Sequence, residues 1–201
     1  LSDTRIWYRY HHLFSDLLQY RLSQTYPDII KDLHIRASIW FEENGFIEEA
    51  FYHAIQGDDY ESAADLIESV SVNTLMRGEI VTLQKWISQV PDQVINTRAL
   101  ICICRAWIYN ISGELQKVEP EVSKAELAVH DGQKRYNETE VANIKGHIVL
   151  LRSYYFSPFY TGNPDNILKH RKLLLEAKAN LQTDSPIIFS ILELVIGGTY
   201  F

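Results

Sequence analysis

Apolar positions along this chain recur every three or four residues, and the strict alternation of a half-buried strand is nearly absent. Leu13, Phe14, Leu17 and Leu18 form a first stripe; Ile29, Ile30, Leu33, Ala37, Trp40 and Phe41 form a second. Ile47, Ala50 and Ala54 follow, then Ala63, Ala64, Ile67 and Val70, then Ile80, Leu83, Ile87 and Val90. Leu100, Cys104, Trp107 and Ile111 keep the same spacing, as do Val141, Ile144, Ile148 and Leu151. Each stripe is one helix face that needs a partner. Only RIWYRY, residues 5–10, reads as a strand. The pattern predicts an all-α chain of about nine or ten helices, with a remnant strand at its N-terminus.

The breaks fall where helix-end chemistry expects them. Asp58 with Glu61 resembles a capping box ahead of SAADLIESV. Pro27, Pro91, Pro164 and Pro186 suit first helical turns, with Asn163 and Ser185 as N-caps. Asn44-Gly45, Gly57 and Gly113 are compatible with left-handed stops. In ASIWFEENGFIEEAFYHAI, residues 37–55, Ala50 and Ala54 lie four apart beyond a tight turn. Small residues at facing positions let two antiparallel helices approach closely, the logic of tetratricopeptide-type hairpins. CRAWIYNISGELQKVEPEVSKAE, residues 104–126, repeats the theme less faithfully. The expected architecture is a degenerate solenoid of helical hairpins, a superhelix, rather than a compact bundle.

Composition narrows the function classes. The 201 residues, 46% of them hydrophobic, suffice for one sizeable core or two small ones. A net charge of −7, with no block of Lys or Arg, argues against a phosphate backbone as the partner of this segment. Cys102 and Cys104, the only cysteines, point in different directions on a helix and cannot bridge each other, which fits a reducing cytoplasm. The sequons at Asn110 and Asn137 are then chance matches. No uninterrupted apolar span of about 20 residues and no basic leader occurs, so no membrane contact is expected. A start on Leu1 and an end on LVIGGTYF read as a fragment of a longer protein.

Three stretches carry a family resemblance: WYRYHHLFSDLLQYRL, then LHIRASIWFEENGFIEEAFYHAIQGDDYESAADLIE, then LMRGEIVTLQKWISQVPDQVINTRALICICRAW. In this order they resemble the region downstream of the ATPase core in the maltose-activator-like (MalT-like), LuxR-type large ATP-binding transcriptional regulators. These regulators fall within the signal-transduction ATPases with numerous domains. The resemblance is good over residues 5 to about 115. It implies residues 1–20 as the tail of a winged-helix domain, 21–45 as linking-arm helices, and 46–201 as the first part of a tetratricopeptide-like superhelix. It also implies a sensor fragment that binds a small-molecule effector or a regulatory protein and signals to an ATPase core. The chain has no G-x-x-x-x-G-K-[ST] loop, so ATP and ADP would bind elsewhere in the full-length protein, and DNA only through a missing C-terminal domain.

Adjacent histidines at 11 and 12 invite a catalytic or metal reading. By the resemblance, Tyr10-His11-His12-Leu13 looks like the Met-His-Asp-Leu word of the wider class, in which the histidine reaches the β-phosphate of ADP. His11 matches that histidine; His12 stands where the aspartate would be. No histidine pair shows the i,i+4 spacing of a zinc hydrolase, so no metal is expected. Glu42-Glu43 and Glu48-Glu49 point apart on helices, and no nucleophile elbow occurs, so no enzyme is expected either. RSYYFSPFYTGNP, residues 152–164, concentrates rings suited to a flat ligand. Tyr154, Tyr155, Phe159 and Tyr160 are the candidate effector contacts, with capping of the core as the competing reading. The apolar tail PIIFSILELVIGGTYF suggests a homodimer. A stand-alone tetratricopeptide-like adaptor is the alternative function, and an α-helical hydrolase a distant third.

Overall fold

The computed structural model describes residues 11–131, 135–154, 163–181 and 196. The chain forms two compact units that divide between Asp59 and Tyr60. Every regular element among the described residues is helical: ten α-helices and three short 3-10 turns. The all-α expectation therefore holds, while RIWYRY lies outside the described residues.

The first unit contains α1 (His12–Thr25), α2 (Ile30–Glu43) and α3 (Ile47–Gln56). Helices α2 and α3 form an antiparallel hairpin, because Asn44-Gly45 supplies the turn and Gly45 takes φ +79°. Ala50 and Ala54 are fully buried, and the Ser38 hydroxyl donates to the Ala50 carbonyl at 2.8 Å. The small residues thus do what their spacing predicts: they let the two backbones close on each other.

The exit from α3 differs from the sequence expectation. Gly57 does not adopt a left-handed conformation; its φ is −86°, and Asp58 takes the positive value of +57° instead. Helix α4 starts at Tyr60, which leaves Asp58 one residue too early to cap it. The Asp58 carboxylate pairs with Lys31 at 2.5 Å. Gly57 is small for a different reason: a Cβ there would lie 2.9 Å from Ile35 Cγ1 and 3.3 Å from the Lys31 carbonyl. A Gly57→Ala change gains about 0.4–1 kcal/mol from a stiffer unfolded chain but overpacks this contact by about 1–3 kcal/mol. Net destabilisation of the first unit by about 1 kcal/mol is expected, read from exchange of the buried Ala50 and Ala54 amides.

The stripe on α1 does not find cover among the described residues. Leu13 is 66% exposed, Phe14 48% and Leu17 50%, and no α1 residue is buried.

The second unit contains α4 (Tyr60–Met76), α5 (Ile80–Ile87), α6 (Asp92–Ile95), α7 (Ala99–Ile111), α8 (Val118–Asp131), α9 (Glu138–Ser153) and α10 (Ile167–Asn180). Each of α7, α8, α9 and α10 packs on the next, and α7 also touches α4, α5 and α9. This is the stacking of helical hairpins that defines a solenoid. Because α7 is covered on more than one side, it is apolar nearly all round. Ala99, Ile101, Cys102, Ile103, Cys104, Ala106 and Ile108 are all buried, whereas Ile111 from the expected stripe is exposed. Val118, Val122, Ala125, Ile144, Ile148 and Leu151 close the core from α8 and α9. Each fully buried Ile, Leu or Val contributes about 1.5–3 kcal/mol.

The capping box of this unit sits in NETE. Asn137 Oδ1 accepts from the Glu140 N–H at 2.9 Å, and Glu140 Oε2 accepts from the Asn137 N–H at 2.8 Å. Asn163 caps the next turn as expected, accepting from the Asp165 N–H at 3.0 Å. No helix among the described residues is long and apolar enough to cross a membrane.

Candidate functional site

A groove of about 1020 Å³ is lined by α8, α9 and α10. Val129, Val141, Ile148 and Val149 make its apolar walls. Glu126, Glu138 and Glu176 on one hand, and Lys145 and Arg152 on the other, supply charge of both signs. The capping box at Asn137 fixes where α9 begins, and so which face of α9 carries Val141, Lys145, Ile148 and Arg152 to the groove.

Arg152 is not a free anion binder. Its guanidinium reaches Glu119 and Glu126, both at 2.6 Å, and these hydrogen bonds hold its pKa above the ordinary arginine range against desolvation. The groove therefore offers apolar surface with a mixed polar rim, which suits recognition of a peptide or a moderately polar ligand. The buried thiols lie elsewhere: desolvation pushes Cys102 and Cys104 up to about 12, so both stay protonated and poorly nucleophilic at neutral pH. Among the described residues, no group of three or more His, Cys, Asp and Glu side chains is placed to hold a metal.

The residues flagged from sequence are scattered. His11 is the exposed N-cap residue of α1; its side chain makes no capping bond, and its ring lies 4.2 Å from that of His12. Tyr154 ends α9, half-buried, with its ring edge-on to Trp107 at 5.9 Å and packed against the cluster of Leu150 and Leu174. Tyr155, Phe159 and Tyr160 lie outside the described residues, as does nearly all of the apolar tail. Sequence reasoning passed over Val141 and Lys145 as groove residues. Their signal was present only as the i, i+4 spacing of a helix face.

No protein-family model matches the chain, and no solved structure matches it. Among curated proteins, serine/threonine-protein kinase PknK of Mycobacterium tuberculosis is 32% identical over 133 residues, covering 63% of this chain and 12% of the kinase. The HTH-type transcriptional regulator MalT of Vibrio campbellii is 25% identical over 139 residues, covering 66% of this chain and 15% of the regulator. MalT of Vibrio parahaemolyticus is 26% identical over the same length. A partial relationship to MalT-type regulators follows. The chain spans less than a sixth of the length of each of these relatives.

Proposed function

We propose that this chain is the sensing and transmitting segment of an ATP-dependent transcriptional regulator. The observation that carries the reading is that one helical segment is similar to part of a protein kinase and to part of an HTH-type regulator. Two proteins with such different outputs share what feeds the output, not the output itself. A stacked-hairpin surface with an amphipathic groove fits that task. Effector or partner binding, with Tyr154, Tyr155, Phe159 and Tyr160 as the candidate contacts, would favour one packing of the helices over another. Only a difference in affinity between the resting and active arrangements can move that equilibrium.

In this reading the nucleotide-binding core and the DNA-reading helices belong to parts of the protein outside this chain. His11 contacts the β-phosphate of bound ADP there, since an imidazole N–H can donate to a phosphate oxygen and let go when domains move. The surroundings that suit this chemistry are those of the cytoplasm.

The test uses the full-length protein loaded with ADP or with a non-hydrolysable ATP analogue. Hydrogen exchange across residues 138–153 is expected to differ severalfold between the two nucleotides, and His11→Ala is expected to speed ADP release. Identical exchange in both states would refute transmission and leave a partner-binding adaptor without a nucleotide switch.

A further inference from the structure

The α2–α3 hairpin holds two histidines in direct contact, and neither the groove nor the proposed switch uses them. His34 Nδ1 and His53 Nδ1 lie 2.8 Å apart, with ring centroids at 5.0 Å, both rings half-buried. At that distance one ring must present Nδ1–H and the other its Nδ1 lone pair. The His53 ring has little freedom to turn away. Phe41 stacks on His53 at 5.3 Å with planes 11° apart, and Tyr52 meets it edge-on at 5.2 Å.

The pair also stands at the open end of the hairpin. Its turn is at Asn44-Gly45 and its central tie is Ser38 to Ala50, so His34–His53 lies toward the open end, with Gly57 against Ile35 and the Lys31–Asp58 pair beyond it. Helix α3 then runs through Gln56 to the boundary at Asp59. We propose that the His34–His53 contact is a proton-operated latch on this hairpin, closed while one ring is neutral and released when both rings carry a proton.

The charge environment sets the sign. The pair lines a cavity of about 580 Å³, to which α1 contributes Asp16 and Tyr20 and α3 contributes Tyr52 and Gln56. Lys31, one turn before His34, is engaged by Asp58; Glu49, one turn before His53, is exposed. One proton is shared between the two Nδ1 atoms. The second proton places two N–H groups and two positive charges face to face, and nothing in that geometry accepts either hydrogen. Burial lowers the His53 pKa, and the charge of His34 lowers it further. A lowered imidazole stabilises the fold above its ordinary value and loses that contribution as the pH falls below it. Acid therefore loosens the end of α3 that leads into the second unit, while the Ser38 end stays closed.

The experiment is hydrogen exchange on the intact chain at about pH 7.5 and about pH 5, corrected for intrinsic rates. Peptides within residues 47–56 are expected to lose protection by about tenfold in acid. In His34→Asn, which keeps a polar side chain but cannot titrate, that loss is expected to vanish. Ring-nitrogen NMR of the unmodified chain gives a second readout: one Nδ1–H and one Nε2–H tautomer at neutral pH, with coupled titration. Two Nε2–H rings that titrate independently would overturn the latch. So would added zinc that raises protection at neutral pH, because both lone pairs would then face a metal and not a shared proton.

Discussion

Replacing Arg98 with methionine is expected to destabilise the second unit by about 3–5 kcal/mol, the usual cost of removing one partner from a buried charge pair. The Arg98 side chain is 3% exposed, at the N-cap of α7. It reaches Glu61 at 2.5 Å, Asp65 at 3.2 Å and Glu68 at 4.0 Å, all on α4. Glu61 and Asp65 are well exposed, so solvent screens those pairs and neither decides the outcome. Glu68 decides it, because its side chain is only 10% exposed. It accepts from the Tyr136 hydroxyl at 2.7 Å and from the Leu100 N–H at 3.3 Å, while the Tyr136 hydroxyl also accepts from the Ala99 N–H at 2.8 Å. This network ties α4 to the start of α7 and to the link between α8 and α9. Among the described residues, the cation that remains near Glu68 without Arg98 is Arg135, at 3.9 Å.

The pH dependence of that loss has a definite sign. Burial already raises the Glu68 pKa despite Tyr136, Arg98 and Arg135. A raised carboxylate is least costly when protonated, so the difference between variant and parent should shrink as the pH falls toward the carboxylate range. Adding Glu68→Gln to Arg98→Met should recover a large part of the stability, since the orphaned charge is then gone. Urea unfolding at several pH values checks both statements. A single-variant loss below about 1 kcal/mol would show that solvent reaches Glu68.

This network was not legible from the sequence, and the reason is physical. Arg98 reaches residues 30–37 positions away, and a period of 3.6 carries no information about charges that meet across helices. The stripes did predict the elements, and Asn44-Gly45 with Ala50 and Ala54 predicted the α2–α3 hairpin down to its small-residue contacts. They failed on α7, because a helix packed on several sides has no single face to find. They also misplaced a cap. Asn137 first stood out as a sequon, while the same Asn-x-x-Glu spacing is the capping signal that fixes α9. His11 and Tyr154 were nameable from word resemblance and aromatic density, but neither is among the residues that line the groove. The groove walls were not nameable, since Val141, Lys145 and Val149 become neighbours of Val129 and Glu176 only once three helices have stacked.

His147 gives the second large effect, and it should appear as acid sensitivity of the second unit. The ring is buried on α9, where Nδ1 accepts from Trp107 Nε1 at 3.3 Å with the indole edge-on at 6.2 Å. Desolvation alone pulls its pKa down to about 4 from an ordinary 6.5. Between those values the unfolded chain binds a proton that the folded chain refuses, so stability rises with pH across that window and is fully present above it. A gap of that size corresponds to about 3 kcal/mol lost on acidification through the window. Protonation also removes the lone pair that Trp107 needs, which leaves a half-buried indole N–H without its acceptor. His170 titrates in the same direction, burial lowering it against a 2.7 Å bond from its Nδ1 to the Ser153 carbonyl, while Glu68 works the other way. The clean comparison is therefore parent against His147→Gln, whose amide oxygen can still accept from Trp107 but cannot take up the proton. Urea midpoints for α9 unfolding should fall steeply from about pH 6.5 to about pH 4 in the parent and much less in the variant. Equal slopes in the two chains would mean that the imidazole escapes to water before it is charged, and that the packing of Trp107 on α9 gives way at no cost to the fold.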